Sequence, residues 1–71
     1  MYNERLFLAR EKKGITQKQL SEILGIKQQQ YARYEKGINI MPITYLKPIC
    51  IALDISANYI IGLTNKIESY K

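Results

Sequence analysis

A chain of 71 residues has room for one small domain and not for two. Its apolar fraction of 46% excludes a disordered tail, and its longest apolar run, Ile49–Leu53, is far too short to span a membrane. Eleven lysine and arginine residues against six acidic ones give a net charge of +5, which fits either a solvated basic surface or a surface that faces phosphates.

Residue types that carry chemistry are scarce in this sequence. It has no histidine, no cluster with metal-ligand spacing and no pairing of a nucleophile with a base. The single cysteine, Cys50, cannot form an internal disulfide and lies among apolar neighbours, which is typical of a reducing cytoplasm. Residues 1–5 lack a secretory signal pattern. We therefore expect a cytoplasmic protein that is not an enzyme and uses no cofactor and no metal.

Two helices are predicted in the first 25 residues. Residues 3–13 form the first, and Gly14 ends it. The second begins at Thr16, because Thr16 and Gln19 have the spacing of a capping box, in which each side chain accepts a hydrogen bond from the other residue's backbone amide. The predicted buried stripe of this second helix consists of Leu20, Ile23 and Leu24.

A glycine turn at Gly25 separates the second helix from a third, which is predicted over residues 28–36. Tyr31 and Tyr34 are three residues apart and face inward. The outward face then consists of Gln28, Gln29, Ala32 and Arg33. Lys27 would be the N-cap, a poor choice because lysine accepts no hydrogen bond and its charge opposes the helix dipole.

An unusually apolar loop at residues 38–42 precedes the fourth helix. The inner face of this helix consists of Leu46, Ile49, Cys50 and Leu53. Because Pro48 falls within it, the helix either starts late, near Thr44 or beyond, or is kinked at the proline. Asp54 is expected to end it.

The last predicted helix is capped by Ser56 and runs to about Leu63. Residues 64–71 are polar and are expected to form a frayed tail. The predicted fold is all-α, with five short helices of which the second and third form a helix-turn-helix. We expect one domain over residues 1–71, with its core within residues 3–63.

This order of helices, caps and glycines resembles the lambda repressor/Cro-like helix-turn-helix family. The resemblance covers roughly residues 4–63, and each of its local motifs is weak alone, whereas the ordered set at compatible spacing is specific. The matching residues are Leu6, Arg10, Gly14, Thr16, Gln17, Leu20, Gly25, Ile26, Tyr34, Glu35, Gly37, Leu46, Ile49, Leu53, Ile55 and Ser56.

The resemblance implies a DNA-binding domain and gives roles to individual residues. The helix from Gln28 would be the recognition helix, with base contacts from Gln28, Gln29, Gln30 and Arg33. Phosphate contacts would come from Gln17, Lys18, Lys27, Lys36 and Asn39. Arg10 and Glu35 match a pair that forms a structural salt bridge between the first and third helices of this family.

Each of these roles has a simpler alternative. The three glutamines could form an ordinary solvated face, because glutamine is a good helix former, although the docking geometry favours DNA contact for Gln28 and Gln29. Arg33 could contact the DNA backbone as well as a base. The chain also departs from the family pattern at Lys27, and its loop is apolar where relatives often carry lysine or arginine, which puts a phosphate contact at Asn39 in doubt.

The expected function is sequence-specific binding of double-stranded DNA by a small bacterial or phage transcription regulator, acting as a repressor. A homodimer would read a near-palindromic operator. Its candidate dimer surface consists of Ile40, Met41, Ile60, Ile61 and Leu63. The alternative is an antitoxin or other protein-binding module that uses the apolar loop and C-terminal surface, with a toxin or antirepressor as partner. A membrane-surface role is disfavoured by the periodic core face of the first helix.

Overall fold

The computed structural model describes residues 2–70 and contains five α-helices and no strand in that range. The helices are α1 (Tyr2–Lys13), α2 (Gln17–Leu24), α3 (Gln28–Lys36), α4 (Leu46–Leu53) and α5 (Ala57–Ile60). The predicted all-α fold of five short helices is confirmed. The fifth helix ends earlier than predicted, because Gly62 adopts a left-handed φ of 88° and its amide bonds back to Tyr59.

The start and end signals of α2 behave as the sequence predicts. Thr16 Oγ1 accepts from the amide of Gln19 at 3.0 Å, and Gln19 Oε1 accepts from the amide of Thr16 at 2.9 Å. Gly25 follows the helix with a φ of 72°, in the left-handed region where a Cβ is costly. The turn between α2 and α3 is therefore fixed by local sequence.

The buried face of α2 differs from the prediction at Ile23. This side chain is 54% exposed, and Ser21 is buried in its place, with its Oγ donating to the carbonyl of Lys18. Successive residues are about 100° apart around a helix, so a face that includes Leu20, Ser21 and Leu24 leaves Ile23 at its edge. The small serine side chain suits the close packing of α2 against α3 and α4.

Pro48 is the third residue of α4, which begins late, as one of the two predicted alternatives requires. A proline is tolerated there because amides of the first turn have no intrahelical partner. A 3₁₀ turn, Ile43–Tyr45, leads into the helix. The core lies where the helices meet and consists of Leu6, Ala9, Leu20, Tyr31, Tyr34, Met41, Ile49, Cys50, Leu53, Ile55, Tyr59 and Ile60.

The segment after α5, up to residue 70, makes contacts with the core and with α1. The amide of Ser56 donates to the carbonyl of Glu68 at 2.9 Å, and Ile67 packs against the core. Arg5 Nη1 in α1 donates to the carbonyl of Thr64 at 2.6 Å, while its guanidinium lies 4.8 Å from the ring centroid of Tyr59. Each of these contacts joins residues that are distant in sequence.

Candidate nucleic-acid interface

The outer face of α3, the second helix of the helix-turn-helix, is polar and exposed. Gln28 and Gln29 occupy the first turn and are exposed, and Gln28, Gln29 and Ala32 line a shallow open depression. Arg33 is exposed one turn further along. The opposite face is buried through Tyr31, Tyr34 and Glu35. Packing of the two tyrosines therefore turns the two glutamines and the arginine outward together.

Gln30 differs from its two neighbours. Its Nε2 donates a 2.9 Å hydrogen bond to the hydroxyl of Tyr34, one turn along α3. The ring of Tyr34 lies 6.1 Å from that of Tyr45, in a tilted arrangement. The side chain of Gln30 is thus directed along the helix toward an aromatic pair rather than straight out.

The positive end of the α3 helix dipole is not capped by a side chain. Lys27 has extended backbone angles and makes no side-chain capping bond, as predicted. The amides of Gln30 and Tyr31 both donate to the carbonyl of Lys27, so those of Gln28 and Gln29 precede the first intrahelical bond. These free amides and the helix dipole favour an anion at this point.

Four cationic side chains surround the two helices of the motif. Lys18, Lys27, Arg33 and Lys36 are all exposed. Within residues 2–70, the ion pairs of described geometry belong to Arg10, and none of these four side chains is engaged in one. Asn39 is exposed in the loop beyond α3. The positive charge near the motif is therefore available to an external anion.

Gln17, predicted to contact a phosphate, lies at the first position of α2 and is half-buried. Its Nε2 donates a 3.1 Å hydrogen bond to Oε1 of Glu35. This contact is not predicted by the sequence, because nothing in the local pattern of α2 indicates which residue of α3 will lie beside it.

The predicted Arg10–Glu35 salt bridge is present in the structure, and it is buried. Arg10 Nε lies 2.6 Å from Oε2 and Nη2 lies 3.1 Å from Oε1, while Nη1 donates to the carbonyl of Ile15 at 2.9 Å. Burial by itself would raise the pKa of Glu35, but hydrogen bonds from Arg10, the neighbouring Tyr31 hydroxyl, a hydrogen bond from Gln17 and the charge of Arg10 hold that pKa below its usual value. The carboxylate is therefore ionised at neutral pH.

Tyr31 and Cys50 are buried core residues. The Tyr31 hydroxyl is fully buried near Glu35 and has no hydrogen bond of good geometry, and burial raises its pKa strongly. Burial also raises the pKa of the Cys50 thiol, which makes it a weak nucleophile. Among the described residues there is no group of three or more potential metal ligands.

Three of the five residues predicted to form a dimer surface are exposed in the structure. Ile40, Ile61 and Leu63 are 90%, 52% and 74% exposed. Met41 and Ile60 are corrected to core residues, at 9% and 1% exposure, because the loop folds back over α1 and α5 turns inward. The backbone amide of Met41 donates to the hydroxyl of Tyr2 at 2.9 Å, which fixes the loop in this position.

An apolar groove with a volume of about 250 Å³ lies beside these residues. Its lining consists of Tyr2, Ile40, Met41, Ile43, Leu46, Ile60 and Ile61. Ile43, which is 79% exposed, was not among the predicted surface residues. The apolar character of the sequence from Ile38 to Ile43 could have indicated that Ile43 belongs to this surface.

A profile of the helix-turn-helix family matches residues 6–60 of the chain. This segment contains the whole of α2, the glycine turn and α3. The chain belongs to the Cro/C1-type helix-turn-helix family. The helix-turn-helix protein is thus a DNA-binding domain of the type found in transcriptional regulators, and the predicted family is confirmed.

Two relatives with curated sequences are similar to most of this helix-turn-helix protein. The uncharacterized HTH-type transcriptional regulator YobD of Bacillus subtilis is 35% identical over 65 residues, which cover 92% of this chain and 58% of YobD. The uncharacterized HTH-type transcriptional regulator RP497 of Rickettsia prowazekii is 34% identical over 56 residues, 79% of this chain and 43% of RP497. The chain spans about half the length of these relatives.

The helices in residues 2–70 are all too short or too polar to cross a membrane.

Proposed function

We propose that this protein binds double-stranded DNA sequence-specifically and regulates transcription in the cytoplasm as a repressor, with a homodimer on a near-palindromic operator. The observation that carries the proposal is the outer face of α3. Gln28, Gln29 and Arg33 are exposed together there, while Tyr31 and Tyr34 attach the opposite face to the core.

The side chains at the tip of α3 have the chemistry needed to read bases. A glutamine amide can donate to and accept from N6 and N7 of adenine, and arginine can donate twice to O6 and N7 of guanine. Gln28 and Gln29 are the primary base contacts in this proposal. Gln30 and Arg33 are secondary: Gln30 is tied to the Tyr34 hydroxyl, and Arg33 can reach either a base or the backbone.

Phosphates would be bound on both sides of this helix. Gln17 and the adjacent amides at the start of α2 offer donors on one side, and Lys27 offers charge at the start of α3. The remaining proposed phosphate contacts are Lys18, Lys36 and Asn39. Contacts of this kind fix the register of the domain on the duplex but carry no sequence information.

A dimer is proposed because one recognition helix covers only a few base pairs. Two-fold pairing doubles the contacts and places two helices about one turn of DNA, 10–10.5 base pairs, apart. The surface proposed for this pairing is the groove beside Ile40 and Ile43, together with Ile61 and Leu63. Exposed apolar side chains around a groove suit a self-complementary interface. Repression then requires only that the dimer occupy its operator.

Selection of bound sequences from a pool of random duplex DNA tests this proposal. We expect a motif with two related half-sites that contain A·T pairs. On the selected duplex, Gln28→Ala and Gln29→Ala should each weaken binding by about 1–3 kcal/mol, because each removes a base contact. Binding to random duplex should change little.

Asn58→Ala provides the matched control, since Asn58 is an exposed amide on α5. This variant should bind the selected duplex as the parent does. Equal losses by the glutamine variants on selected and random DNA would contradict the base-reading role. Recovery of no motif at all would favour the alternative of an antitoxin or another protein-binding module that uses the apolar groove.

A further inference from the structure

One oxygen of a buried carboxylate connects the core to the proposed phosphate surface. Glu35 Oε1 accepts from Arg10 Nη2 and from Gln17 Nε2, each at 3.1 Å. Its other oxygen is held by Arg10 Nε at 2.6 Å. Side chains from three helices therefore meet at this carboxylate. Glu35 belongs to α3, its cationic partner Arg10 to α1 and its second donor Gln17 to α2.

We infer that Glu35 is a positioning residue that holds the Gln17 side chain ready for a DNA phosphate. The inference rests on the proposed function, in which Gln17 is a phosphate contact. It assigns to the buried ion pair a role in binding as well as in folding.

The buried ion pair provides a rigid partner for Gln17. The side chains of Arg10 and Glu35 are 7% and 4% exposed, and two hydrogen bonds fix their relative orientation. A half-buried glutamine bonded to this pair gives up its rotamer freedom on folding. DNA binding then does not have to include the loss of conformational entropy that ordering the Gln17 side chain requires.

The side-chain amide of Gln17 has two hydrogens to donate. Gln17 uses one for Glu35. The second hydrogen remains to donate to a phosphate oxygen, next to the backbone amides of Gln17 and Lys18. These two amides precede the first intrahelical bond, from Leu20 to Thr16.

The negative charge of Glu35 is paired with Arg10. An isolated carboxylate at the start of α2 would repel a phosphate, but the two-point pairing with Arg10 neutralises Glu35 where it lies. Glu35 can therefore orient Gln17 without placing an unpaired carboxylate beside it. The purely structural alternative is that the Gln17–Glu35 bond only helps α2 to pack on α3.

A double-mutant cycle distinguishes a positioning role of Glu35 from a purely structural one. Gln17→Ala is measured in the parent and in Arg10→Met/Glu35→Leu, which replaces the pair with apolar side chains of similar size. The probe is a random-sequence duplex of about 20 base pairs, long enough for two half-sites. We expect about a fivefold loss of affinity from Gln17→Ala in the parent and less than about twofold in the double variant, where Gln17 is no longer held.

Lys18→Ala is the matched control, because Lys18 follows Gln17 and makes no ion pair with Glu35. Its loss of affinity should be the same in both backgrounds. An equal loss from Gln17→Ala in the two backgrounds would overturn the inference and leave Glu35 purely structural. Failure of the parent chain to bind the duplex would instead refute the proposed function.

A measurement on the parent protein alone guards against a double variant that fails to fold. In the DNA-free protein, NMR relaxation of the side-chain amide groups should show Gln17 to be as ordered as the backbone, and Gln29, which is exposed, to be mobile. Equal mobility of the two side chains would overturn the inference.

Discussion

Arg10 in α1 and Glu35 in α3 form a buried ion pair joined by two hydrogen bonds, from Nε to Oε2 at 2.6 Å and from Nη2 to Oε1 at 3.1 Å. The same arginine donates to the carbonyl of Ile15, in the turn that leads into α2. The pair thus fixes the position of the helix-turn-helix relative to the first helix. The contact therefore links α1 to the two helices of the proposed DNA surface.

Removal of one partner of this pair should cost more than removal of both. Glu35→Ala leaves the buried Arg10 charge without its two-point partner, although the exposed Glu11 carboxylate still lies 3.3 Å from Nη1, and we expect a loss of about 3–5 kcal/mol in the free energy of unfolding. Arg10→Met/Glu35→Leu should be close to the parent or more stable, because well-packed apolar groups avoid the desolvation of two charges. Urea unfolding followed by circular dichroism measures both values, and a double variant as unstable as Glu35→Ala would contradict this account.

The pair should also make the domain sensitive to acid. The folded pKa of Glu35 lies below its usual value of 4.5, so its contribution to stability is present above that value and is lost as pH falls through the lowered folded pKa. We expect urea unfolding between pH 7 and pH 3 to show a larger loss for the parent than for Arg10→Met/Glu35→Leu, with the difference arising below about pH 4.5. A stability difference independent of pH would contradict this.

Lys27 should oppose folding and support DNA binding. It occupies the N-cap of α3 without a capping bond, so Lys27→Ser should stabilise the fold by about 1 kcal/mol. The same change should reduce the slope of log affinity against log salt by about one, because one phosphate contact is lost. Thermal unfolding and salt titration check the two effects. Lys66→Ser, in the C-terminal tail, should leave the slope unchanged, and an unchanged slope in Lys27→Ser would remove Lys27 from the phosphate contacts.

Charge introduced beside the apolar groove should prevent self-association. Ile40 and Ile43 are 90% and 79% exposed, so Ile40→Lys and Ile43→Lys should leave folding intact while a dimer would have to bury the new charge. Sedimentation with and without the selected duplex measures the change. Ile51→Lys is the matched control, because Ile51 is 55% exposed on α4 and does not line the groove. A dimer that persists in both groove variants would contradict the proposed surface.

Local signals predicted most of the secondary structure because caps and glycines act within a few residues. Thr16 and Gln19 place the start of α2, and Gly25 and Gly37 end α2 and α3 with left-handed backbone angles. Periodicity also predicted that Tyr31 and Tyr34 are buried, which directs Gln28 and Gln29 outward. It misassigned Ile23, since the orientation of an eight-residue helix depends on its neighbours in space.

By itself, the sequence determined the helices, the glycine turn between α2 and α3, the family and the set of polar side chains at the tip of α3. Only the tertiary structure decided which apolar residues remain outside: Met41 and Ile60 are buried, whereas Ile40 and Ile43 are exposed. It also decided that Glu35 lies between Arg10 and Gln17. The reason is physical, because caps and periodicity act over a few residues, whereas these contacts join residues 18 or 25 positions apart that meet only when α1, α2 and α3 pack together.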